Sequence, residues 1–546
     1  MDLRQGITAA LAGVAASLAL VASASAATIT VNSTVDEAGA DNGQCALREA
    51  VLSADADTNV GGCSSAGTYG ANDVIEIPGG TYTLTIPGNG GAAEGDLNLG
   101  SVVLRGVGPG PVTITQSVEG QRIIGAVGAT VVLENLILQG SVKVNGSGGL
   151  VHVTADRLEI RNSTLTGGSA VFDGGAISSI QGGADELVIE NSTITGNSAD
   201  DNGGGLALNG GDPRIVNSTI TNNTADADDD FGVDFGGGFH AVGGADPAFV
   251  NSIVAGNTVV GDGSNHNCSG VAGPHEGVNV FGTQPGPFDC HPQPADIVTD
   301  DAGLLPLADN GGPTPTHALA PSSPALDKGL NCPPADQRGV ERFLGGACDV
   351  GAYELVTCEG QPANRVGTPG DDTLTGTEGD DVFLLLGGND TAIGLGGNDV
   401  ACGGPGDDTL DGGDGNDRLV GEGGNDVLLG GDGGDALLGG SGDDRAVGGD
   451  GNDTANLGDG ADKFDGGIGN DRADLGEGND RAKGGAGKDV LQGKAGRDVL
   501  KGGAGKDKLN GGPGKDKLNG GPGKDKCVGS GGKDRGKSCE KTASIP

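Results

Sequence analysis

The pattern of apolar and polar positions becomes strictly periodic at Gly367, where a nine-residue repeat begins. Nineteen consecutive units run from Gly367 to Lys537 without an insertion or deletion. Position eight of each unit is mostly Leu, Phe or Ala, as in Leu410 and Leu419, and glycine or polar residues fill most other positions. A fixed period with one apolar residue per unit predicts a solenoid with a thin inner column of side chains.

Position six of every unit is aspartate, which predicts a column of carboxylates along the solenoid. Stacked strands repeat at roughly 4.8 Å, and carboxylates at that spacing repel by roughly 3 kcal/mol at an effective dielectric constant near 20. Such a column requires a cation, and its hard oxygen ligands suit Ca²⁺, which tolerates irregular coordination better than Mg²⁺. We therefore predict several Ca²⁺ ions as cofactors, held by Asp372, Asp381, Asp390, Asp399, Asp408, Asp417, Asp426, Asp435, Asp444, Asp453, Asp462, Asp471 and Asp480.

The same composition, rich in glycine and aspartate, is also typical of a disordered tail. A disordered tail has no reason to keep a nine-residue phase, so the strict period favours a folded array. The unit at 412–420 reads GGDGNDRLV and resembles the RTX nonapeptide G-G-x-G-x-D-x-U-x, in which U is a large aliphatic residue. This resemblance covers about a third of the chain. It implies a six-residue turn and a short strand per unit, two units per coil of a parallel β-roll, and calcium between stacked turns.

The array is divided by charge into two parts. Residues 367–483, the acidic repeats, contain 27 Asp or Glu and 6 Lys or Arg, whereas residues 484–546 contain 7 and 14. Position five changes from mostly Asn or Asp to a cation in the last six units, which departs from the RTX pattern. We hypothesise that Lys–Asp neighbours partly replace calcium there, with a solvated basic face as the alternative. These cations are Lys488, Arg497, Lys506, Lys515, Lys524 and Lys533.

The chain before the array repeats at a looser spacing. An asparagine between two short β-type runs recurs at Asn162, Asn191, Asn217 and Asn251, with Asn135 one coil earlier. A coil of two or three short strands with turns takes roughly 20–30 residues. We therefore expect an all-β chain: a right-handed parallel β-helix over 27–357, resembling the pectate-lyase solenoid, a linker at 358–366, and the β-roll. The asparagines are predicted to stack as a hydrogen-bonded ladder.

Several segments resemble a group of secreted bacterial β-helix proteins. Residues 45–50 read CALREA and are similar to the Cys-Ser-Leu-Arg-Glu-Ala box that opens those proteins. Residues 323–327, 336–339 and 349–354 resemble the closing segment of the group. The resemblance implies export and a cap helix near residues 45–53. It implies no reaction, because the group has no single known activity.

The N-terminal residues 1–26 are typical of a secretory signal, with an apolar stretch from Ile7 to Val21 and a cleavage site after Ala26. An uncleaved anchor helix is the alternative, and no later apolar run is long enough to span a bilayer. Ten cysteines in an exported chain predict five disulfides. Proximity in sequence suggests the pairs Cys45–Cys63, Cys268–Cys290, Cys332–Cys348, Cys358–Cys402 and Cys527–Cys539.

The net charge of −43 argues against nucleic acid and anionic membranes as partners, because both attract basic surfaces. Only residues 484–546, with a net charge of +7, offer a local contact for an anionic polymer. The expected location is extracellular, with association to a cell surface. The expected partners are calcium and extracellular polysaccharide or cell-surface components.

An enzymatic role rests on analogy with β-helices that act on polysaccharides in a groove along one face. The best candidate site is an acidic cluster near His240 that includes Asp228, Asp230 and Asp234. Between residues 162 and 327 the only Lys or Arg is Arg214, and the chain has no Trp to stack on sugars. These facts favour a solvated acidic loop. The leading hypothesis is a non-catalytic calcium-binding adhesion or structural protein, and the alternative is a polysaccharide lyase or hydrolase.

Overall fold

The computed structural model describes residues 26–39, 42–70, 72–87, 96–127, 130–140, 142–179, 186–227, 235–260, 267–270, 273, 275–283, 290–342, 347–531 and 534–543. Most of this part of the chain forms two consecutive solenoids of stacked parallel strands. Residues 1–25 of the expected signal lie outside the described residues. No helix in the described ranges is long and apolar enough to cross a membrane.

The first solenoid is a parallel β-helix whose strands form three sheets. In the largest sheet, the two halves of Val102–Gln116 pair with different strands of the next coil, Val131–Glu134 and Ile137–Gln139, so the sheet covers two sides of each coil. Its strands are Thr28–Thr30, Ser65–Ala66, Asp73–Leu84, Val102–Gln116, Val131–Glu134, Ile137–Gln139, Arg157–Arg161, Thr164–Thr166, Glu186–Glu190, Thr193–Thr195, Arg214–Val216, Thr219–Thr221, Ala248–Val250, Ile253–Val254, Val280–Gly282 and Ile297–Thr299.

The other two sheets complete each coil with shorter strands. The second sheet contains Leu97–Leu99, Ile124–Ala126, Val151–Val153, Ile177–Ser179, Leu206–Asn209, Phe239–Val242 and Cys268–Ser269. The third sheet contains Lys143–Val144, Ser169–Ala170, Ser198–Ala199, Thr224–Ala225 and Thr258–Val259.

The core of the β-helix is a set of aliphatic columns that run along its axis. Leu133, Ile160, Ile189 and Ile215 stand directly opposite one another on successive coils, and all four are fully buried. Full burial of such a side chain contributes about 1.5–3 kcal/mol relative to exposure. Alternation of buried and partly exposed residues along these strands, as in Glu186–Glu190, is the pattern that one-sided burial produces.

The asparagines that mark each coil do not form the predicted ladder. Asn135, Asn162, Asn191, Asn217 and Asn251 all have φ between 44° and 57°, so each makes a left-handed corner. Asparagine tolerates this conformation better than most residues. Neighbouring columns form the ladders instead. The backbone N–H of Ser163 donates to Ser192 Oγ, Ser192 to Ser218 and Ser218 to Ser252, each at 3.2 Å, while Nδ2 of Asn197 donates to Asn223 Oδ1 at 2.9 Å and Asn223 to Asn257 at 2.9 Å.

The segments that the bacterial resemblance indicated cap one end of the β-helix and cover part of one face. A helix at Leu47–Asp55 buries Leu47, Ala50 and Val51 against the first coils. The closing segment lies across the coils: Gln337 Nε2 donates to Thr164 Oγ1 at 2.9 Å, and Thr193 Oγ1 donates to Gln337 Oε1 at 2.7 Å. Part of one face of the β-helix is therefore covered by its own chain.

The second solenoid is a parallel β-roll with two units per coil, so its strands pair eighteen residues apart, except for Lys541–Ala543, which pairs with Lys526–Val528 fifteen residues earlier. Its first sheet contains Arg365–Val366, Val382–Leu384, Val400–Pro405, Arg418–Gly423, Ala436–Ser441, Thr454–Asp459, Arg472–Asp474, Glu477–Gly478, Val490–Gln492, Ala495–Gly496, Lys508–Asn510, Lys526–Val528 and Lys541–Ala543. Its second sheet contains Thr373–Thr375, Thr391–Ile393, Thr409–Asp414, Val427–Asp432, Arg445–Asp450, Lys463–Ile468, Arg481–Gly487, Val499–Gly505, Lys517–Asn519 and Arg535–Lys537. The position-eight residues pack between the sheets as one thin core.

Disulfides tie the irregular segments to the solenoids. All five predicted pairs are formed, which confirms that expectation. Cys358–Cys402 joins the segment between the solenoids to the third strand of the first sheet of the roll, and Cys527–Cys539 fastens the C-terminal end. Two antiparallel hairpins interrupt the parallel pattern, Leu304–Ala308 with Thr316–Leu319 and Thr357–Cys358 with Gln361–Pro362.

Candidate metal centre

The position-six aspartates of the roll are buried and connected by one repeated hydrogen bond. The backbone N–H of each aspartate donates to Oδ1 of the aspartate eighteen residues later, as from Asp399 to Asp417 at 2.8 Å. The series runs from Asp372 to Asp534 with distances of 2.7–3.0 Å. From Asp390 onward, Oδ1 of each aspartate therefore accepts a hydrogen bond from a backbone N–H group. The other carboxylate oxygen, Oδ2, is available to a different partner.

That second oxygen is the most informative feature of the array. Seventeen Oδ2 atoms, on every position-six aspartate from Asp390 to Asp534, are buried without a hydrogen-bond partner in the described part of the chain. Burying an acceptor without a partner costs about 1–3 kcal/mol, and more when the group is charged. A regular column of such oxygens is therefore unfavourable unless a cation or a proton occupies the space beside it.

Position-one glycines leave that space open. A Cβ on Gly394 would lie 2.2 Å from Asp399 Oδ2 and 2.3 Å from the carbonyl oxygen of Gly412, one coil further on. The same arrangement recurs at Gly421, where a Cβ would lie 2.2 Å from Asp426 Oδ2. A carboxylate and a backbone carbonyl thus converge on one small volume in each coil. Most units keep this volume free with glycine at position one. Three units have leucine there, and their aspartates also have an unpartnered Oδ2.

The first two aspartates differ from the rest. Oδ2 of Asp372 accepts hydrogen bonds from the backbone and hydroxyl of Thr368, and Oδ2 of Asp381 accepts them from Thr377. Arg365 Nε also lies 3.3 Å from Asp381 Oδ1. These two carboxylates begin the column with neutral or cationic partners from the protein itself. Both units have threonine at position two, where most units have glycine.

Burial raises the pKa of these aspartates in the metal-free protein. The pKa of Asp444 and that of Asp480 rise to about 7, first because desolvation disfavours the carboxylate, with neighbouring carboxylates adding to the rise against the backbone N–H bond that lowers it. Smaller rises, to about 6, occur along the column at Asp399, Asp426, Asp435, Asp471 and Asp498.

Position five forms a second ladder that runs in the opposite direction. The backbone N–H of Asn416 donates to Asn398 Oδ1 at 3.1 Å, and that of Asn425 donates to Asp407 Oδ1 at 2.7 Å. The ladder ends at Lys488 and Arg497. Their cationic side chains have no atom that could accept a hydrogen bond from the backbone N–H group of the next coil. The position-five side chains therefore link successive turns by accepting hydrogen bonds from backbone N–H groups.

The Lys–Asp neighbours of the basic repeats do not pair as we hypothesised. Among the described residues, none of the position-five cations forms an ion pair with a position-six aspartate, because the cations point outward and the aspartates are buried. The unpartnered Oδ2 atoms and the glycine cradle continue into this part: a Cβ on Gly484 would lie 2.3 Å from Asp489 Oδ2 and 2.6 Å from the Gly502 carbonyl oxygen. The basic repeats thus present the same oxygens as the acidic ones.

The oxygen set suits a hard cation with flexible coordination. No three His, Cys, Asp or Glu side chains cluster as a compact site anywhere in the described ranges. Each position instead offers one carboxylate oxygen and backbone carbonyls, which are donors that Ca²⁺ accepts and that softer metals do not favour. The residues from Asp390 onward therefore fit calcium, and no soft ligand competes for another metal at these turns.

Of the candidate catalytic residues, only His240 lies within the described part of the chain. Asp228, Asp230 and Asp234 lie outside the described residues. His240 lies in the second sheet of the β-helix, in the same row as Ser178 and His152. These residues and Asp173 line a groove of about 210 Å³. Burial lowers the pKa of His152 to about 4, helped by Arg122, and it also lowers the pKa of His240, so both imidazoles are neutral near pH 7.

Comparisons with known proteins identify the array. The family described as RTX calcium-binding nonapeptide repeat (4 copies) matches residues 366–401, 403–437, 438–473, 474–509 and 501–535. No curated protein sequence matches the chain. Among solved structures, the "Structure of PL6 family alginate lyase AlyGC" shares 10% sequence identity, covers 86% of this chain and 97% of that chain, and has a TM-score of 0.14, too low to carry an argument. The family matches span the whole aspartate column, and residues 366–535 belong to the RTX calcium-binding nonapeptide repeats.

Proposed function

We propose that this chain is a secreted calcium-binding repeat protein with a non-catalytic adhesion or structural role outside the cell. The observation that carries the proposal is the column of buried Oδ2 atoms without partners from Asp390 to Asp534. A bound Ca²⁺ supplies positive charge between carboxylates that otherwise repel one another. The position-six aspartates and the carbonyl oxygens of position-one glycines would hold it.

The residues of the roll also explain why folding should depend on the cation. The apolar core contains one side chain in most units and two in three of them, and several of these are only alanine, as at Ala446 and Ala473. Such a core contributes little against the chain entropy of ordering about 1–2 kcal/mol per residue. The unfolded repeats offer no preformed site, so the free energy of metal binding is available only to the folded roll. At low calcium the acidic array is expected to expand by self-repulsion.

Several observations support an extracellular role. RTX repeat proteins are generally secreted, and five disulfides are typical of an oxidising compartment. The β-helix would present its uncovered face to polysaccharide or cell-surface components. The roll would act as a rigid spacer or anchor once calcium is bound.

The test is circular dichroism of the mature chain during a calcium titration, with magnesium as the control. We expect a calcium-specific gain of β signal, accompanied by loss of protease cleavage between residues 390 and 534. A matched titration of the chain with Asp417, Asp435 and Asp453 changed to asparagine should need more calcium for the same gain. An unchanged spectrum and unchanged cleavage with calcium would overturn the proposal.

A polysaccharide lyase or hydrolase is the second candidate, and the groove at His240 is the observation that favours it. Two neutral imidazoles and the Asp173 carboxylate lie along one groove, where a general base would be needed. Incubation with acidic and neutral polysaccharides, followed by assay for reducing ends and unsaturated products, separates the candidates. Product release that is lost in His240→Ala would favour the enzyme, and no release is expected for the structural protein.

A further inference from the structure

The basic repeats carry two parallel columns of lysine on one side of the roll. Lys488, Lys506 and Lys524 occupy position five of alternate units and are therefore one coil apart. Lys508 and Lys526, at position seven, stand directly opposite each other in the strand pairing. Neighbours within a column repeat at roughly 4.8 Å, the spacing of stacked strands. We call these five residues the lysine face.

The lysine face is exposed, and its groove also contains carboxylates that do not pair with it. All five side chains are exposed, and within the described ranges none forms an ion pair with Asp or Glu. They border a groove of about 530 Å³, whose lining also includes the buried Asp489, Asp507 and Asp525 and the exposed Glu540. Five ammonium groups at this spacing repel one another, so an external anion that bridges them is favourable.

The lysine face is local within a strongly acidic molecule. Residues 1–366 carry a net charge of −29 and the acidic repeats carry −21, against +7 for residues 484–546. A large polyanion that approached the whole molecule would be repelled. A narrow polymer that follows the groove meets the lysines and avoids most of the acidic surface, because screening limits the reach of exposed charges to about 8 Å at physiological ionic strength.

The chemistry of the groove selects among linear polyanions. Residues 484–546 contain no Phe, Tyr or Trp, so they offer no ring for the stacking that single-stranded nucleic acids use. Among the described residues of this region, no large apolar side chain is exposed for insertion into a bilayer. Regularly spaced point charges without base or lipid contacts suit a polymer that presents one anionic group at regular intervals.

We infer that the lysine face, residues 488, 506, 508, 524 and 526, binds a linear acidic polysaccharide along the axis of the roll. This inference deepens the proposed function, on which it rests for the extracellular location, by assigning the partner to the basic end of the roll rather than to the β-helix. The ammonium groups of the columns attract carboxylate or sulfate groups by charge and do not distinguish one sugar from another. Binding therefore depends on ionic strength and on the order of the lysine columns.

The experiment uses the full mature chain in excess calcium and measures binding to immobilised chondroitin sulfate and hyaluronate, with neutral dextran as the control polymer. The test variant changes Lys488, Lys506 and Lys524 to glutamine. The matched control changes Lys501, Lys515 and Lys517 to glutamine; it removes the same charge from the same repeats, at units of the other sheet. We expect the test variant to lose about tenfold or more in affinity and the control less than about threefold.

Three results would overturn the inference: no binding to either acidic polymer, equal losses in the two triple variants, or tighter binding to single-stranded RNA or phosphatidylserine vesicles than to the polysaccharides. Circular dichroism of each variant with calcium is recorded alongside. A normal calcium response without polysaccharide binding would refute the inference about the lysine face but not the proposed function. An absent calcium response in the unmodified chain removes the proposed function itself.

Discussion

The backbone N–H of Asp399 donates a hydrogen bond to Oδ1 of Asp417, the equivalent residue one coil further along the roll, at 2.8 Å. At the adjacent position the direction is reversed, because the N–H of Asn416 donates back to Asn398 Oδ1 at 3.1 Å. Each turn is therefore fixed from both sides by side chains of its neighbours. This arrangement orients every Oδ2 in the same way, so a cation would meet nearly identical ligands in each coil.

Asp444→Asn separates the two roles of the carboxylate. Asparagine keeps an Oδ1 acceptor for the N–H of Asp426, which donates at 2.9 Å, and removes the buried charge. Without calcium the Asn variant should therefore be at least as stable as the unmodified protein. With calcium it should bind fewer ions and lose stability relative to the unmodified protein. Urea denaturation in EDTA and in calcium, with calcium content measured by mass spectrometry, checks both signs.

Asp444→Ala is the matched control, because it removes charge and acceptor together. It leaves the Asp426 N–H without its partner and should destabilise the roll by about 1–3 kcal/mol, even in EDTA. Equal behaviour of the Asn and Ala variants in EDTA would contradict the hydrogen-bonding role. An unchanged calcium content in both variants would contradict the metal-binding role.

The metal-free roll should be less stable at higher pH. The pKa of Asp444 and that of Asp480 are raised to about 7 by burial, above the ordinary value of 3.8 for an unfolded chain. The folded state therefore binds more protons between about pH 4 and pH 7, and the free energy of unfolding falls as pH rises through that window. Carboxylates facing Asp444, at Asp426, Asp462 and Asp443, act in the same direction.

The measurement is the urea midpoint of the roll in EDTA at about pH 5 and about pH 8. We expect the lower midpoint at the higher pH. In excess calcium the order should reverse, since ligand carboxylates must be deprotonated to bind the ion. A midpoint that rises with pH in EDTA would show that the column is not desolvated as the structure indicates.

The strict period was sufficient to predict a solenoid and its column of aspartates, because every unit must satisfy the same local geometry, and the resemblance to the RTX nonapeptide implied the β-roll with two units per coil. It could not show that Asp372 and Asp381 are served by Thr368 and Thr377, since this depends on which side-chain oxygens meet in space. The disulfides followed from proximity because four of the five join cysteines only 12 to 22 residues apart, whereas Cys358 and Cys402 are 44 residues apart.

In the β-helix, the recurring asparagines did not form the ladder that their spacing predicts. The asparagines of the Asn-Ser-Thr elements recur at coil spacing, as a ladder residue would, but their left-handed φ turns the corner of each coil. The following serines stack instead, with the N–H of Ser192 donating to Ser218 Oγ. Spacing predicts that a residue is structurally equivalent in each coil, while the backbone conformation decides whether its side chain points along the axis.

Gly442→Ala should disrupt the stack of turns. Gly442 occupies position four with φ of 128°, and a Cβ there would lie 1.8 Å from the carbonyl oxygen of Gly424. Backbone atoms on both sides cannot yield without separating the coils, so we expect a loss of at least about 2 kcal/mol. Differential scanning calorimetry in calcium should show a lower Tm for the roll.

Gly379→Ala is the matched control for this substitution, because Gly379 holds position four in a unit with no coil in front of it. A Cβ there would meet only Thr377 Oγ1, at 3.8 Å. This variant should unfold within about 0.5 kcal/mol of the unmodified protein. Equal losses at the two glycines would mean that helical or strand propensity, and not the approach of neighbouring turns, sets the requirement for glycine.

Glu422→Gly should stabilise the roll, although it removes a side chain. Glu422 stands at position two, where most units have glycine, and its φ of 73° is left-handed. That conformation costs a non-glycine residue roughly 1–2 kcal/mol. The added freedom of glycine in the unfolded chain offsets part of the gain, so we expect about 0.5–1 kcal/mol of net stabilisation. The change also removes a carboxylate that raises the pKa of Asp408.

Glu477→Gly separates the conformational effect from the charge effect. Glu477 stands at position three, is exposed, and does not have a positive φ. Its replacement removes the same charge but relieves no backbone strain, so glycine there should cost roughly 0.5–1 kcal/mol. Urea midpoints of both variants in calcium should therefore move in opposite directions. Stabilisation of both by the same amount would assign the effect to reduced acidic repulsion and would remove the argument from left-handed geometry at position two.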